Sequence, residues 1–190
     1  PNLLKNISSN DLLNRRGLFK NLSGLVYMSS FFYEMYPDAT FIGLVRNSYA
    51  VCEGHIRRGA SLNKFSKRLN DAYLKLIYDS ENIPNFHIIR FEDIIEKPLD
   101  TLKYIYKISE LDISKVSEIK LQIKKVIDNK GKHKINNKKK IKEIVSYDIN
   151  EFGNHFIKDV NKNQINRLTA EQREIIKENC YKSMKYFSYI

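Results

Sequence analysis

Two short apolar runs constrain this chain more than any other feature. Phe41-Ile42-Gly43-Leu44-Val45 is wholly apolar and ends abruptly in Arg46. Phe86-His87-Ile88-Ile89-Arg90-Phe91 is the second run. Such lengths predict strands at 40–45 and 86–91, the first buried on both faces because it shows no alternation. Between them, residues 62–79 place Leu62, Phe65, Leu69, Tyr73 and Leu76 on one side of an amphipathic helix, which Pro84 breaks. An earlier helix is predicted over 22–35, with Leu22, Leu25, Val26, Phe32 and Met35 apolar, stopped at Pro37-Asp38. Another starts at Pro98, a favoured first helical residue, and runs through Leu102, Ile105 and Tyr106. Strand, helix, strand, helix makes an α/β unit with a parallel sheet. The last helix opens with a capping box, Thr169 followed by Gln172, and continues through Ile175, Ile176 and Met184.

The chain is 190 residues long, which suits a single domain over 1–190. Lys and Arg number 33 against 22 Asp and Glu, a net charge of +11. That excess implies a polyanionic partner, unless a Lys-rich composition inherited from an AT-rich genome produces it. Much of it falls in residues 120–142, where ten Lys and His133 face one acid, Asp128. That segment is expected to be an exposed basic helix end and loop. Cys52 and Cys180 form no metal or redox motif and are expected to be free thiols in a reducing compartment. No apolar run approaches the roughly 20 residues that span a bilayer. No nucleic-acid-binding motif accompanies the charge, so a nucleic-acid partner is disfavoured. The G-x-x-x-x-G-K-[ST] loop of a small-molecule kinase is not in the sequence.

Ligands of parallel α/β sheets bind beyond the carboxyl ends of the strands. Arg46 stands at such an end. Its guanidinium can grip a phosphate through two parallel hydrogen bonds, and the helix that follows adds backbone N–H donors. The competing reading pairs Arg46 with a local carboxylate, Glu53 or Glu92; charge pattern alone does not choose between them.

Three blocks carry a resemblance. YPDATFIGLVRN at 36–47 resembles the 3′-phosphate-binding segment of PAPS-dependent sulfotransferases. HIIRFEDIIEKPLDTLKYIYKISELDI at 87–113 is similar to that family's second landmark, an apolar strand followed by Glu-Asp and a Pro. INRLTAEQREIIKENCYKSMKYFSYI at 165–190 is similar to its last helix and closing Gly-Tyr. The blocks occur in family order and cover about 15–190. The resemblance implies a P-loop-like, three-layer α/β fold with a central parallel sheet. It implies transfer of a sulfuryl group from 3′-phosphoadenosine 5′-phosphosulfate (PAPS), a co-substrate, to the hydroxyl or amine of a small-molecule or glycan acceptor, with no metal. By the same resemblance Arg46 holds the donor's 3′-phosphate. A helper Ser is usual eight residues on, where this chain has Gly54; Ser48, His55, Arg57 or Arg58 would substitute. A late basic loop over the same phosphate corresponds to Lys130-Gly131.

Two family features are missing from the sequence. Nothing in residues 1–35 reads as the glycine-rich strand–loop–helix that cradles the 5′-phosphosulfate. Lys20 matches a family Lys, but Gly24 falls where a catalytic His often lies. His155, within FGNHF, is the remaining candidate for a general base. The chain is therefore expected to be the C-terminal portion of a sulfotransferase. The alternative is a non-catalytic relative that binds a nucleotide or another polyanion through its basic surface. The expected compartment is the cytoplasm, with a Golgi lumenal domain as the other candidate.

Overall fold

The computed structural model describes residues 17–20, 23–123 and 143–190. A 3₁₀ segment, Ser23–Met28, runs into α1, Ser29–Met35. The elements that follow are β1 (Phe41–Val45), α2 (Ser48–Ile56), α3 (Leu62–Asn82), β2 (Phe86–Arg90), α4 (Phe91–Glu96) and α5 (Pro98–Ile108). The chain continues with β3 (Glu118–Ile123), β4 (Glu143–Asp148), α6 (Val160–Ile165) and α7 (Ala170–Tyr186).

The strand–helix–strand unit forms as the apolar runs require. β1 and β2 pair in parallel, with Phe41 opposite Phe86 and Val45 opposite Arg90. Two helices fill the crossover, because parallel neighbours need a long connection. The ladder begins where α3 ends: Asn85 takes the left-handed conformation at φ 59°, which Asn tolerates, and its carbonyl accepts from the Phe41 N–H at 2.9 Å. Gly43 is required by close approach. A Cβ there would lie 3.1 Å from a Leu76 methyl carbon and 3.2 Å from the Phe86 ring.

The apolar side of α3 faces the core as expected. Val45, Tyr73, Ile77 and Phe187 bury together between β1, α3 and the C-terminus. A second cluster joins Cys52 of α2 to Leu168, Ile176, Cys180 and Met184, with Leu62, Phe65 and Leu69 packed against it. Both cysteines are free and fully buried. Contact with Cys180, together with burial, holds the Cys52 thiol well above its ordinary range.

Three expectations change. β1 is not buried on both faces: Val45 is inaccessible, but Leu44 is 56% exposed and Ile42 is also open. Among the described residues β1 pairs with β2 alone, so no strand lies along its other edge. The mixed α/β character is present, but the described parallel sheet has two strands rather than a large central array. Finally, the start of the basic segment is a strand, not a helix end. β3 pairs antiparallel with β4, Glu118 opposite Asp148. Residues 124–142, with Lys130, Gly131 and His133, lie outside the described residues.

A candidate anion-binding site at the strand ends

Arg46 leaves β1 at its carboxyl end, and its backbone is fixed by one side chain. The Tyr73 hydroxyl accepts from the Arg46 N–H at 2.9 Å and donates to the Arg46 carbonyl at 2.7 Å. Asn47 then caps α2, its Oδ1 accepting from the Tyr49 N–H at 3.0 Å. The guanidinium lies over the Phe91 ring, 4.4 Å from its centre. Its Nε donates to Asn161 Oδ1 at 2.8 Å, and one Nη donates to Gln164 Oε1. Asn161 and Gln164 sit one turn apart on α6 and so share a face. Burial lowers the Arg46 pKa, and the nearby Glu92 carboxylate works against that.

Neither anticipated carboxylate pairs directly with Arg46; both are committed elsewhere. Glu92 Oε1 accepts from the Asn47 N–H at 2.9 Å and from the Asn161 amide, and its Oε2 accepts from the Tyr189 hydroxyl at 2.8 Å. Burial and this contact with Glu92 push the Tyr189 hydroxyl well above its usual range. One carboxylate thus ties the β1–α2 turn, α6 and the C-terminus together. Glu53 is 4% exposed. Arg167 donates to both its oxygens, at 2.8 and 3.3 Å; Gln164 Nε2 donates at 3.0 Å, and Arg57 is 3.3 Å away. Burial alone would raise the Glu53 pKa, but Arg167 and Gln164 outweigh it and the net shift is downward.

The other expected contributors are distributed unevenly. Ser48 is fully buried with no partner for its hydroxyl, facing the interior rather than the strand ends. Gly54 backs onto Gln164, whose amide nitrogen would lie 3.4 Å from an added Cβ. Arg57 is engaged by Glu53. Arg58 is exposed and donates to the Gly54 carbonyl at 2.8 Å. His55 stacks on Phe65, and burial together with the nearby Arg58 charge lowers its pKa; His87 reaches Tyr104 at 3.3 Å; both are packing histidines. The backbone of His155 lies in a 3₁₀ turn, Phe152–His155, remote in sequence from either strand end.

Sequence reading missed the two amides and the two tyrosines that build this site. Asn161 and Gln164 lie in a polar stretch, VNKNQIN, that carries no motif. Tyr73 read as one more apolar position of α3. Arg90 stood in the quoted second block but drew no role.

What this arrangement can do is bind an anion. The Arg46 guanidinium is charged at any working pH. It stands on an aromatic face, and its partners are neutral oxygens that a phosphate or sulfate oxygen can replace. Glu53 is neutralised by Arg167 and Arg57, so it does not oppose an incoming anion at full strength. Among the described residues no group of His, Cys, Asp and Glu could hold a metal ion, and no helix is long and apolar enough to cross a membrane.

No curated protein and no solved structure matches the chain. A family model for the sulfotransferase domain matches residues 70–188. The match takes in Tyr73, β2, Glu92, both amides of α6 and the last helix, and begins after Arg46. Spanning well over half of the sequence, it shows that the chain belongs to the sulfotransferase domain family.

Proposed function

We propose that this chain binds PAPS through Arg46 and serves the transfer of its sulfuryl group to an acceptor hydroxyl or amine. The supporting observation is an arginine at the carboxyl end of a parallel strand, stacked on Phe91 and hydrogen-bonded, among the described residues, to neutral side-chain amides. That is how a cation is kept available for an anion rather than spent on a structural ion pair. The 3′-phosphate of the donor fits this position, with its oxygens taking the place of the Asn161 and Gln164 amide oxygens. Arg58, exposed just beyond the C-terminal end of α2, and Lys130-Gly131 are the basic supplements proposed from the family resemblance.

The bound donor supplies the sulfuryl group. In-line attack by the acceptor oxygen or nitrogen forms a new bond to sulfur while the bond from sulfur to the 5′-phosphate oxygen breaks. 3′-Phosphoadenosine 5′-phosphate leaves, and the acceptor proton passes to a base. Arg46 anchors in this scheme and does no proton transfer. His155 stands as the candidate base. The Glu92 carboxylate already accepts three hydrogen bonds, which fits a scaffold better than a base. A carbohydrate hydroxyl is the proposed acceptor, the cytoplasm the proposed compartment, and a P-loop-like three-layer α/β fold around a central parallel sheet the proposed full architecture.

A second reading has one observation in its favour. Residues 23–35 form a 3₁₀ segment and a helix rather than a strand–loop–helix cradle. A chain whose anion site had no such cradle would bind a nucleotide without transferring anything; among the described residues none precedes β1. Calorimetric titration with 3′-phosphoadenosine 5′-phosphate beside adenosine 5′-phosphate tests both readings. Binding that depends on the 3′-phosphate and falls roughly 10- to 100-fold in Arg46→Ala, the worth of a charged hydrogen bond, supports the donor site. Equal affinity for both nucleotides overturns it. Release of 3′-phosphoadenosine 5′-phosphate from PAPS in the presence of a mixed glycan acceptor then separates transfer from binding alone.

A further inference from the structure

We propose that Arg90 is a second anion-binding guanidinium, acting beside Arg46 on the same phosphate-class ligand; this rests on the reading of Arg46 as a phosphate anchor. The parallel register sets Arg90 directly opposite Val45, so the two arginines leave neighbouring strands at the same carboxyl end. Both are presented the same way. Arg46 lies over Phe91 at 4.4 Å and Arg90 over Tyr189 at 5.3 Å. An aromatic face supports a guanidinium while leaving its N–H edge free to bond outward.

The two differ in partners, and that difference carries the inference. Arg46 has two amide oxygens. Arg90 Nε is buried with no hydrogen-bond partner. The nearest carboxylate oxygen, on Asp93, is 3.9 Å away, beyond hydrogen-bond reach. Glu92, the next residue but one, is already occupied by the Asn47 N–H, the Asn161 amide and the Tyr189 hydroxyl. Arg173 also has an unpartnered Nε, but its Nη anchors to the Ile165 carbonyl at 3.0 Å. Among the described residues the Arg90 side chain makes no hydrogen bond to anything. A buried cationic N–H lacking an acceptor is destabilising and calls for one. An oxyanion seated against Arg46 supplies it, and one phosphate then receives two guanidinium groups, with the nearby Glu92 and Asp93 carboxylates offsetting part of their charge.

The test compares wild type, Arg90→Ala, Arg90→Lys and Arg46→Ala by calorimetry with 3′-phosphoadenosine 5′-phosphate. Arg90→Ala should bind at least tenfold more weakly at an unchanged urea midpoint. Arg90→Lys should recover only part of the loss, because an ammonium lacks the planar fork. Wild-type affinity in Arg90→Ala overturns the inference while leaving Arg46 untouched. Should the wild type itself ignore this nucleotide, the donor reading fails, and Arg90 is tested separately. The Nε–H resonance of Arg90, assigned by its disappearance in Arg90→Lys, is followed by NMR during titration with inorganic pyrophosphate. A saturable shift that Arg46→Ala weakens supports a shared oxyanion seat. A resonance that does not move, even where Arg90→Ala fails to fold, overturns it.

Discussion

Tyr73 shows how one residue of a helix sets the geometry of a site it never enters. Its hydroxyl satisfies both backbone groups of Arg46, the donor and the acceptor, so the turn after β1 has one conformation. Tyr73→Phe should cost about 1–3 kcal/mol, because it strands a buried N–H and C=O together; urea unfolding reads this directly. The same variant should weaken phosphate binding, since Arg46 then loses its fixed exit angle. Glu53 yields a pH prediction. Its pKa in the folded protein lies below the ordinary 4.5. The stabilisation is therefore complete above the ordinary value and is lost as pH falls through the lower, folded value. Urea midpoints measured from about pH 5 down to about pH 3 should fall less steeply in Glu53→Gln than in wild type, because the variant has no such carboxylate to protonate.

At the scale of elements, caps and faces divide the work. The capping box of α7 is complete: the Thr169 hydroxyl accepts from the Gln172 N–H at 3.1 Å, and the Gln172 side chain accepts from the Thr169 N–H at 3.0 Å. Thr169→Ala should cost about 1 kcal/mol, a drop in melting temperature of roughly 2–4 °C for a chain of this size. α7 carries Ile176, Cys180 and Met184 into the core, so fraying at its start loosens the cluster around Cys52 as well. β1 behaves oppositely on its two sides. Val45 locks into the core, whereas Leu44 is exposed on the opposite face, and the edge of β1 away from β2 is covered by no described strand. Such an edge invites association. Leu44→Lys should leave unfolding free energy within about 0.5 kcal/mol of wild type while reducing self-association, as light scattering across a concentration series would report.

Across the whole molecule, charge acts at two ranges. The net +11 makes a general cationic surface that attracts any polyanion. Arg46 and Arg90, each over an aromatic ring, make the proposed local seat. The two separate by salt. Retention on duplex DNA should fall by orders of magnitude between about 50 and 200 mM salt, because many phosphate contacts release counterions together. Binding of 3′-phosphoadenosine 5′-phosphate should fall by less than about tenfold over the same range, because one or two partly buried contacts are screened far less. Equal salt slopes for the two ligands would show that the local seat adds nothing beyond the surface.

What the sequence by itself determined is the local part. The apolar runs at β1 and β2, the stripe on α3, Pro98 and the Thr169–Gln172 pair each encode their element within a few residues, through periodicity and capping chemistry. The position of Arg46 at the carboxyl end of β1 was legible because the charge terminates an apolar strand; whether it would meet a carboxylate was not. What only the tertiary structure decided is which partners meet there. Asn161 and Gln164 lie more than a hundred residues beyond Arg46, and no pattern in a polar stretch reports whom it will face. The same holds for Arg57, drawn to Glu53, and for Ser48, turned into the core. The open face of β1 was illegible too, since an all-apolar run reads identically whether one side or both are covered. Periodicity encodes which side of an element seeks burial; hydrogen bonds between distant side chains depend on the closed chain alone.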